Sequence, residues 1–221
     1  MATSTVEDYV KRIYMLQQRV AADALVPLGQ VSSVVGVVPG TATTMVKALA
    51  ESGLVRYEPR SGVRLTSAGE KLALHVLRRH RLVELFLVNV LGFDWSEVDE
   101  EAERLEHAIS ERLIDRIDAH LGHPAYDPHG DPIPTAAGTI ELRTTTPLAE
   151  AAVGVAMTVA HITDQDAHFL GYAAGRGLTP GVCVIVESVD PLGDSVSVRV
   201  AGKTPLTLGR AAAMKIAVQE K

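Results

Sequence analysis

The sequence GVVPG at residues 36–40 lies between two short apolar segments and restricts the N-terminal fold more than any other feature. Leucine and valine side chains at helical spacing predict a helix over residues 28–35, before this turn. A second helix is predicted over about 41–52, and Gly53 supplies the residue that ends it. Two helices joined by so short a turn predict a helix-turn-helix.

A third helical pattern precedes this pair, and a hairpin pattern follows it. Apolar side chains at helical spacing predict an amphipathic helix over residues 4–19. Two short alternating segments, 54–57 and 63–66, flank a Glu-Pro-Arg-Ser-Gly turn and predict two antiparallel strands. We therefore predict a winged helix-turn-helix DNA-binding domain over residues 1–66. Winged helices that serve protein contacts remain an alternative at this point.

The second helix of a helix-turn-helix enters the major groove of DNA, where its N-terminal residues reach the edges of the bases. Most side chains at this position are small, so we expect few hydrogen bonds to bases, with thymine methyl contacts and phosphate contacts supplying the rest. The candidate DNA-contacting residues are Thr41, Thr43, Thr44 and Lys47 on the helix, and Arg56, Arg60 and Arg64 on the hairpin.

The net charge of −6 by itself argues against a nucleic-acid partner. The charges are unevenly distributed, however. Residues 1–81 carry 11 Lys and Arg against 6 Asp and Glu, whereas residues 82–122 carry 3 against 11. A basic N-terminal third is compatible with DNA binding, although ordinary scatter of surface charges gives the same pattern.

Two long apolar helical patterns follow the hairpin. The first runs from a capping pair that begins at Ser67 to Gly92, and the second runs from a similar pair at Asp94 to Leu121. The second is predicted as one continuous helix that packs antiparallel to the first. Because one subunit cannot bury this much apolar surface, we predict a homodimer through a helical domain over residues 67–140.

The remaining sequence predicts an irregular connector and a small β domain. Residues 123–146 are rich in Pro, Gly, His and Thr, which is typical of irregular structure. Alternating segments after it predict strands at 151–162, 182–189 and 195–200, and a short helix at 166–174. We predict a small SH3-like β-barrel domain over residues 148–221. The fold class is therefore mainly α with a small β part.

Cysteine usage and hydropathy indicate a cytoplasmic protein. The only cysteine, Cys183, excludes an intramolecular disulfide and a four-cysteine metal site. No run reaches the roughly 18 apolar residues that span a bilayer, and the N-terminal segment is charged where a signal peptide is apolar. We expect a soluble chain with no membrane partner.

One group of residues has the character of a metal site. Glu103, Glu106 and His107 have i, i+3 and i+4 spacing, so on one helix two carboxylates and an imidazole share a face, where a hard or borderline cation can bind. His80 and Glu84 form an i, i+4 pair on the preceding predicted helix, which antiparallel packing brings opposite. The alternative is a solvated acidic face with a chance histidine.

The sequence does not predict catalysis. A carboxylate-bridged metal pair in a helical bundle uses Glu-x-x-His on two helices, and no histidine here has Glu three residues before it. No GxSxG, phosphate-binding loop or GxGxxG is present, and Cys183 lies in an apolar segment where a thiol is usually inert. A winged-helix regulator that senses an organic ligand or a protein partner remains an alternative.

Four segments together resemble the DtxR/MntR family of metal-dependent transcriptional repressors. They are VEDYVKRIYML at 6–16, RRHRLVELFL at 78–87, DEEAERLEHAIS at 99–110 and DPHGDPIP at 127–134. The resemblance extends over residues 5–134 and continues loosely through GLTPG at 177–181. It implies a metal-activated repressor that binds double-stranded operator DNA as a homodimer. It also implies a winged helix, a helical dimerisation domain and an SH3-like (FeoA-like) third domain.

The resemblance also implies a core metal site. Its ligands fall on Asp8, His80, Glu103, Glu106 and His107. Iron-responsive members carry Met and Cys at the positions of Asp8 and Glu103, so Mn(II) is expected, Fe(II) is the alternative, and Zn(II) or Co(II) occupy such sites in vitro. Short manganese sensors carry Glu where this chain has Lys11. The ammonium of Lys11 cannot be a metal ligand, so the resemblance does not extend to a metal pair bridged by that residue.

An ancillary site is implied at Glu84, Asp127, His129 and Asp164, the last only with a gap in the alignment. The alternative for Asp127 and His129 is that they belong to a simple Asp-Pro-His-Gly-Asp-Pro turn with no metal. In the family, the core cation clamps the DNA-binding domain to the dimerisation helices. The clamp sets the two recognition helices of a dimer about 34 Å apart, which matches successive major grooves.

Overall fold

A computed structural model describes residues 3–220 of the chain. The chain divides into two compact units. The first unit extends to His80 and includes Arg104–Ser110 and Pro134–Ile140, and the second consists of Arg81–Glu103, Glu111–Ile133 and the chain from Glu141 onward.

The first unit contains the winged helix that the sequence predicts. Its elements are α1 (Ser4–Gln17), α2 (Leu28–Val35), α3 (Pro39–Glu51), β1 (Val55–Glu58), β2 (Gly62–Leu65) and the start of α4 (Ser67–Leu91). Helix α3 begins two residues earlier than predicted because Pro39 occupies its first turn, where the fixed φ of proline suits a helix and no N–H is required. The axes of α2 and α3 meet at 106°.

The wing is anchored to the segment before α2 and to the end of α1. Strand β2 pairs with β1 in antiparallel register, and Val63 exchanges two backbone hydrogen bonds with Val26, at 2.8 and 2.9 Å. A Cβ on Gly62 would lie 2.4 Å from the carbonyl oxygen of Val26, so this close approach requires glycine. The amide N–H of Leu65 donates to the side-chain oxygen of Gln17, at the end of α1, at 2.6 Å. The wing therefore has fixed contacts with α1.

The second apolar helical pattern is not one continuous helix, so that prediction is wrong. The chain forms α5 (Val98–Leu105) and α6 (Glu111–His120), and residues 106–110 between them are not helical. The backbone N–H groups of Ala108 and Ile109 both donate to the carbonyl oxygen of Leu105, and the turn that these bonds form ends α5. Glu106 and His107 therefore project from a turn.

The second unit contains a six-stranded antiparallel sheet. Its strands are β3 (Thr146–Pro147), β4 (Ala156–Ile162), β5 (Cys183–Asp190), β6 (Ser195–Val200), β7 (Leu206–Gly209) and β8 (Ile216–Glu220), in the order β3-β8-β4-β5-β6-β7. The short helices α7 (Ala167–Ala174) and α8 (Arg210–Ala213) complete it. Leu148, Leu170 and Leu178 pack with the inward valines of the sheet into one core. Cys183 opens β5 and is exposed, although its apolar neighbours suggested an inert thiol.

No single helix within residues 3–220 combines the length and apolar character needed to cross a membrane. Helices α2 and α3 meet those two criteria only when they are taken together as a bent pair.

Candidate metal centres

The first cluster consists of Asp8, His80, Glu106 and His107. Helix α1 presents Asp8, and the turn after α5 presents His107, whose Nε2 lies 2.7 Å from Oδ1 of Asp8. The other ring nitrogen, Nδ1, lies 2.7 Å from Oε2 of Glu7. Both carboxylates accept, so both ring nitrogens carry a proton when the two bonds form. Burial alone would lower the pKa of His107, but the bond to Glu7 and the charges of Glu106 and Asp8 together raise it.

Glu106 is at the centre of the first cluster and is fully buried, with 0% of its surface exposed. Its Oε1 accepts from the ammonium of Lys11 at 2.6 Å, and its Oε2 lies 2.7 Å from Nδ1 of His80. Lys11 is itself 2% exposed. A buried charge is tolerated only when it is paired and hydrogen-bonded. The chain therefore supplies its own cation to this carboxylate from α1.

The donor set of the first cluster fits a divalent cation. One ligand atom from each of Asp8, Glu106 and His107 lies within 4.8 Å of the others. Carboxylate oxygens and imidazole nitrogens suit Mn(II), Fe(II) and Zn(II) alike, so the set by itself does not select the metal. Lys11 occupies one side of the Glu106 carboxylate and limits how many cations that carboxylate can bind.

Sequence reasoning missed Glu7 in this centre, and it included Glu103, which the structure places in the second unit. Glu7 bonds to His107 and also forms an ion pair with Arg79 at 2.9 Å, although only its neighbour Asp8 was singled out. The contacts between α1 and the turn join residues about a hundred positions apart, which no local pattern shows. Glu103, the remaining predicted core ligand, lies near the end of α5 in the second unit.

The second cluster consists of Glu84 on α4 and of Asp127 and His129 in the connector, and all three are buried. Nε2 of His129 donates to the carbonyl oxygen of Trp95 at 2.7 Å, and the two rings stack with centroids 5.6 Å apart. This bond fixes the tautomer and leaves the lone pair on Nδ1. Nδ1 faces Oε1 of Glu84 at 3.7 Å and has no hydrogen-bond partner among the described residues.

Asp127 adds a second buried carboxylate to this cluster. Its Oδ1 accepts from the backbone N–H of His129 at 2.8 Å and of Asp131 at 2.9 Å. Burial, followed by the charges of Asp131 and Glu84, holds the pKa of the Asp127 carboxyl well above its usual range, and Arg81 at 3.4 Å offsets this only in part. A lone-pair nitrogen facing two buried carboxylates fits a divalent cation.

Asp164, the fourth predicted ligand of the ancillary site, is not brought to the second cluster. Its carboxylate lies 2.6 Å from the ammonium of Lys215, and this hydrogen bond lowers the pKa of Asp164. The connector instead contacts β4 through its backbone. The N–H of Ile162 donates to the carbonyl of His129 at 3.0 Å, and a Cβ on Gly130 would lie 2.1 Å from the carbonyl oxygen of Ala160.

The predicted DNA-contacting residues lie on α3 and the wing. Thr41, Thr44 and Lys47 are exposed and Thr43 is partly exposed. Arg60 is at the tip of the wing, with φ of 69°. Arg56 lies 3.5 Å from the Glu58 carboxylate, and Arg64 donates to the carbonyl of Ala24 at 3.0 Å. The guanidinium of Arg64 thus also holds the wing to the segment before α2.

Three family models match the chain in succession. They are the N-terminal DNA-binding domain of the iron dependent repressors over residues 1–63, the metal-binding and dimerisation domain of the same repressors over 66–135, and the FeoA domain over 146–220.

Named relatives and solved structures agree with these matches. The chain is 30% identical over 232 residues to the iron-dependent repressor IdeR of Mycobacterium tuberculosis (strain ATCC 25618 / H37Rv), which covers 98% of this chain and 97% of the relative. It is 33% identical over 117 residues to the transcriptional regulator MntR of Bacillus subtilis (strain 168), or 53% of this chain and 80% of that protein. A solved manganese-dependent transcriptional repressor in complex with manganese matches with a TM-score of 0.87 and 39% identity, over 98% of this chain and 100% of that chain. With a winged helix, two carboxylate and imidazole clusters and a FeoA domain in this order, the chain belongs to the DtxR/MntR family of metal-dependent transcriptional repressors.

Proposed function

We propose that this repressor is activated by Mn(II) and binds double-stranded operator DNA as a homodimer. Both clusters contain only carboxylates and imidazoles, which admit Mn(II), Fe(II) and Zn(II) and offer none of the thiolate or thioether donors that favour softer metals. The observation that carries the choice of Mn(II) among these is the 39% identity to a solved repressor in complex with manganese. Fe(II) is the second candidate, supported by the 30% identity to an iron-dependent repressor.

The first cluster is proposed as the switch that acts on the DNA-binding helices. Asp8 lies on α1, the first helix of the winged-helix unit, whereas Glu106 and His107 lie in the turn after α5. In the metal-free arrangement, His107 holds a proton at Nε2 against Asp8, and Lys11 holds Glu106. A divalent cation bound there supplies a charge that three ligand side chains share. Asp8 then fixes α1, and with it the winged helix, relative to the turn.

The dimer is proposed to form through the helical region of the second unit. Val90, Leu91, Phe93 and Leu113 are each at least 40% exposed, which is unusual for apolar side chains of this size in so small a region. The family model that matches residues 66–135 describes a dimerisation domain, which supports the proposal. Sedimentation of a monomer at micromolar concentration would contradict it.

Operator contact is proposed to come from α3 and the wing. Lys47 and Arg60 supply positive charge for phosphate contacts, and the exposed N-terminal half of α3 is available to the bases. Lys47→Ala should weaken binding to every DNA sequence and lower the salt dependence by about one counterion.

The decisive experiment is a titration of DNA binding with metals. Purified protein in EDTA should bind duplex DNA weakly. Mn(II) should restore specific binding, Fe(II) should act in part under anaerobic conditions, and Zn(II) should activate poorly for its affinity at matched free concentrations. Better activation by Fe(II) than by Mn(II) would overturn the manganese assignment and leave the repressor function intact. Equal binding in EDTA would overturn metal activation itself.

Two variants sharpen this experiment. His107→Ala should abolish activation by Mn(II) while the protein remains folded, because its ring contacts carboxylates at a half-buried position. Unfolding of His107→Ala would instead indicate a packing role for the ring.

The double variant Asp8→Met with Glu103→Cys should shift activation towards Fe(II) and Co(II), because thioether and thiolate donors favour these later metals.

A further inference from the structure

The loop over residues 125–133 carries Asp127 and His129 of the second cluster, and we call it the ligand loop. Its shape is fixed from within, because the N–H of Asp127 donates to the carbonyl of Asp131 at 2.9 Å and an antiparallel bridge pairs the chain on either side. Glu84, the third group of this cluster, lies outside the loop on α4. The second cluster is therefore complete only when the ligand loop is held in the right place relative to α4.

Strand β4 has an irregular residue that faces the ligand loop. The pairing of β4 with β8 skips Ala160, which is therefore a bulged residue. The carbonyl oxygen of Ala160 lies so close to Gly130 of the loop that a Cβ on Gly130 would be 2.1 Å from it. Beside this contact, the N–H of Ile162 donates to the carbonyl of His129 at 3.0 Å. The ligand loop therefore rests on the bulged part of β4.

Arg143, in the segment before β3, joins the ligand loop to the bulge with one guanidinium group. Its Nη2 donates to the carbonyl of Gly130 at 2.9 Å and, more weakly, to the carbonyl of Ala160 at 3.5 Å. Its guanidinium carbon lies 3.3 Å from the centre of the Tyr126 ring, which belongs to the same loop. A planar guanidinium can stack on an aromatic ring and donate hydrogen bonds in its own plane at the same time. Because Gly130 directly follows His129, Arg143 holds the chain one residue away from a ligand.

The charge of Arg143 and its hydrogen bonds should act on a bound cation in opposite directions. A positive charge near the second cluster repels a divalent cation. A loop that is already in place, in contrast, keeps Nδ1 of His129 at 3.7 Å from Oε1 of Glu84, so little further ordering is needed when the cation binds. The sign of the change in metal affinity after removal of Arg143 therefore separates a positioning role from a purely electrostatic one.

We propose that Arg143 is a positioning residue for the second cluster, which seats the ligand loop on the β4 bulge and so lets the FeoA domain set the metal affinity of that cluster. The inference rests on the proposed activation by a divalent cation and on the fit of such a cation to the second cluster. The coupling is reciprocal, because the free energy that the seated loop adds to metal binding is also added by the metal to the seating of the loop.

The first test uses the emission of Trp95, the one tryptophan of the chain, whose ring stacks on His129. Mn(II) is paramagnetic and should quench this emission in the full chain when it binds at the second cluster. Glu84→Gln removes a ligand and keeps the stacked rings, so it should lose the quenching. Arg143→Met should raise the Mn(II) concentration for half-quenching roughly tenfold, the loss typical of a residue that orients a ligand. An unchanged or lower concentration would overturn the proposal, a lower one because Arg143 then acts only by its charge.

Arg176→Met is the matched control. Arg176 also stacks on a tyrosine, with its guanidinium carbon 3.6 Å from the ring centre of Tyr172, and it donates to the carbonyl of Tyr172 at 3.3 Å. These contacts lie within and just after α7, so Arg176→Met should leave the quenching curve unchanged. Both arginine variants should melt within about 5 °C of wild type in EDTA, since one such contact contributes little to global stability. A much lower melting temperature for Arg143→Met would show a general structural role and would overturn the proposal.

The ring of Tyr126 tests whether the loop is held through Arg143. Tyr126→Leu removes the stacking surface and should raise the half-quenching concentration about threefold, as the loss of one cation–π contact predicts. Added to Arg143→Met, the same change should have no further effect, because the partner of the ring is already absent. Additive effects of the two changes would show that the ring acts independently of Arg143, against the proposal.

The second test measures the seating of the loop directly. The amide proton of Ile162 is bonded to the carbonyl of His129, so its exchange with solvent reports on the contact between the ligand loop and β4. In EDTA it should exchange roughly tenfold faster in Arg143→Met than in wild type, because a tenfold loss of affinity by this route means that the loop is seated about a tenth of the time. Saturating Mn(II) should slow the exchange again. Equal exchange in EDTA would refute the role of Arg143.

The outcomes distinguish this inference from the function on which it rests. If DNA binding does not respond to Mn(II), the proposed metal activation fails. If DNA binding responds but the emission of wild-type Trp95 does not, the second cluster binds no Mn(II), and this inference alone is overturned. If Trp95 responds alike in wild type and in Arg143→Met, the second cluster binds the ion but the ligand loop is positioned without Arg143, and the inference is again wrong.

Discussion

The first and second clusters use the same donor types but balance their charges in different ways. In the first, Lys11 and His80 each occupy one oxygen of the buried Glu106 carboxylate. In the second, Asp127 and Glu84 repel each other, and Arg81 compensates only in part. We therefore expect the first cluster to remain intact without a metal, so that a bound cation acts as a switch there. We expect the second to gain net stability from a cation, as a structural site does.

Removing the cation that the chain supplies to the first cluster should have the largest effect. Lys11→Met leaves Glu106 buried without its ammonium partner, so the metal-free protein should lose about 3 kcal/mol or more of unfolding free energy. Mn(II) should recover part of that loss because it can compensate the same carboxylate. Urea unfolding in EDTA and in Mn(II) measures both effects.

Lys71→Met provides the control, because Lys71 lies on α4 and is exposed. It should change stability by less than about 0.5 kcal/mol. If Lys11→Met is as stable as this control, the ion pair with Glu106 does not hold the first cluster together.

The second cluster should lose its response to metal when its imidazole is removed. His129→Ala should bind one cation fewer per subunit and should lose about 2.7 kcal/mol of the stabilisation produced by Mn(II) at a hundredfold excess over its dissociation constant. The connector histidine His123, whose side chain is 74% exposed, provides the control variant His123→Ala. Metal stoichiometry and melting curves measure the difference. An unchanged stoichiometry would remove the second site.

The same chemical change should have opposite signs in the two clusters. Asp127→Asn removes a charge that burial and like charges disfavour, and its remaining oxygen still accepts two backbone bonds, so the metal-free protein should gain about 1 kcal/mol. Glu106→Gln instead leaves Lys11 without a buried counter-charge and should destabilise the metal-free protein. Destabilisation by both variants would show that the clusters do not differ in this respect.

Asp164 should contribute least. Asp164→Asn weakens a partly exposed pair with Lys215, so stability should fall by less than about 1 kcal/mol and the metal stoichiometry should not change. A tenfold loss of Mn(II) affinity at the second cluster would instead assign Asp164 a ligand role.

Local sequence patterns predicted the helix ends correctly where a glycine in the left-handed conformation terminates the helix. The bounds of α2 and the end of α4 before Gly92 agree with the structure, because an αL residue, Gly36 or Gly92, ends each helix. Apolar spacing alone predicted a continuous helix through residues 106–110, where the chain instead turns. The preference of Ser110 for an N-cap position is the one local signal for the start of α6.

The arrangement of the clusters depended on contacts that are distant in sequence. The resemblance placed Asp8, His80, Glu106 and His107 together, and the structure brings these four side chains into contact. It did not show that Lys11 neutralises Glu106 or that Glu7 shares His107. Both contacts depend on how α1 packs against the turn after α5. Packing of this kind is a property of the folded chain, which periodicity does not encode.

The hydrogen bond between Gln17 and Leu65 means that α1 connects the first cluster to the wing. Asp8, in the second turn of this helix, contacts His107, and Gln17 at its C-terminal end accepts a hydrogen bond from the backbone of a wing strand. The two residues are nine positions apart, so they are separated by about 14 Å along a rigid rod. A tilt of this rod about its middle moves its ends in opposite directions. We therefore expect the rate at which the amide proton of Leu65 exchanges with solvent to change when a cation binds at His107.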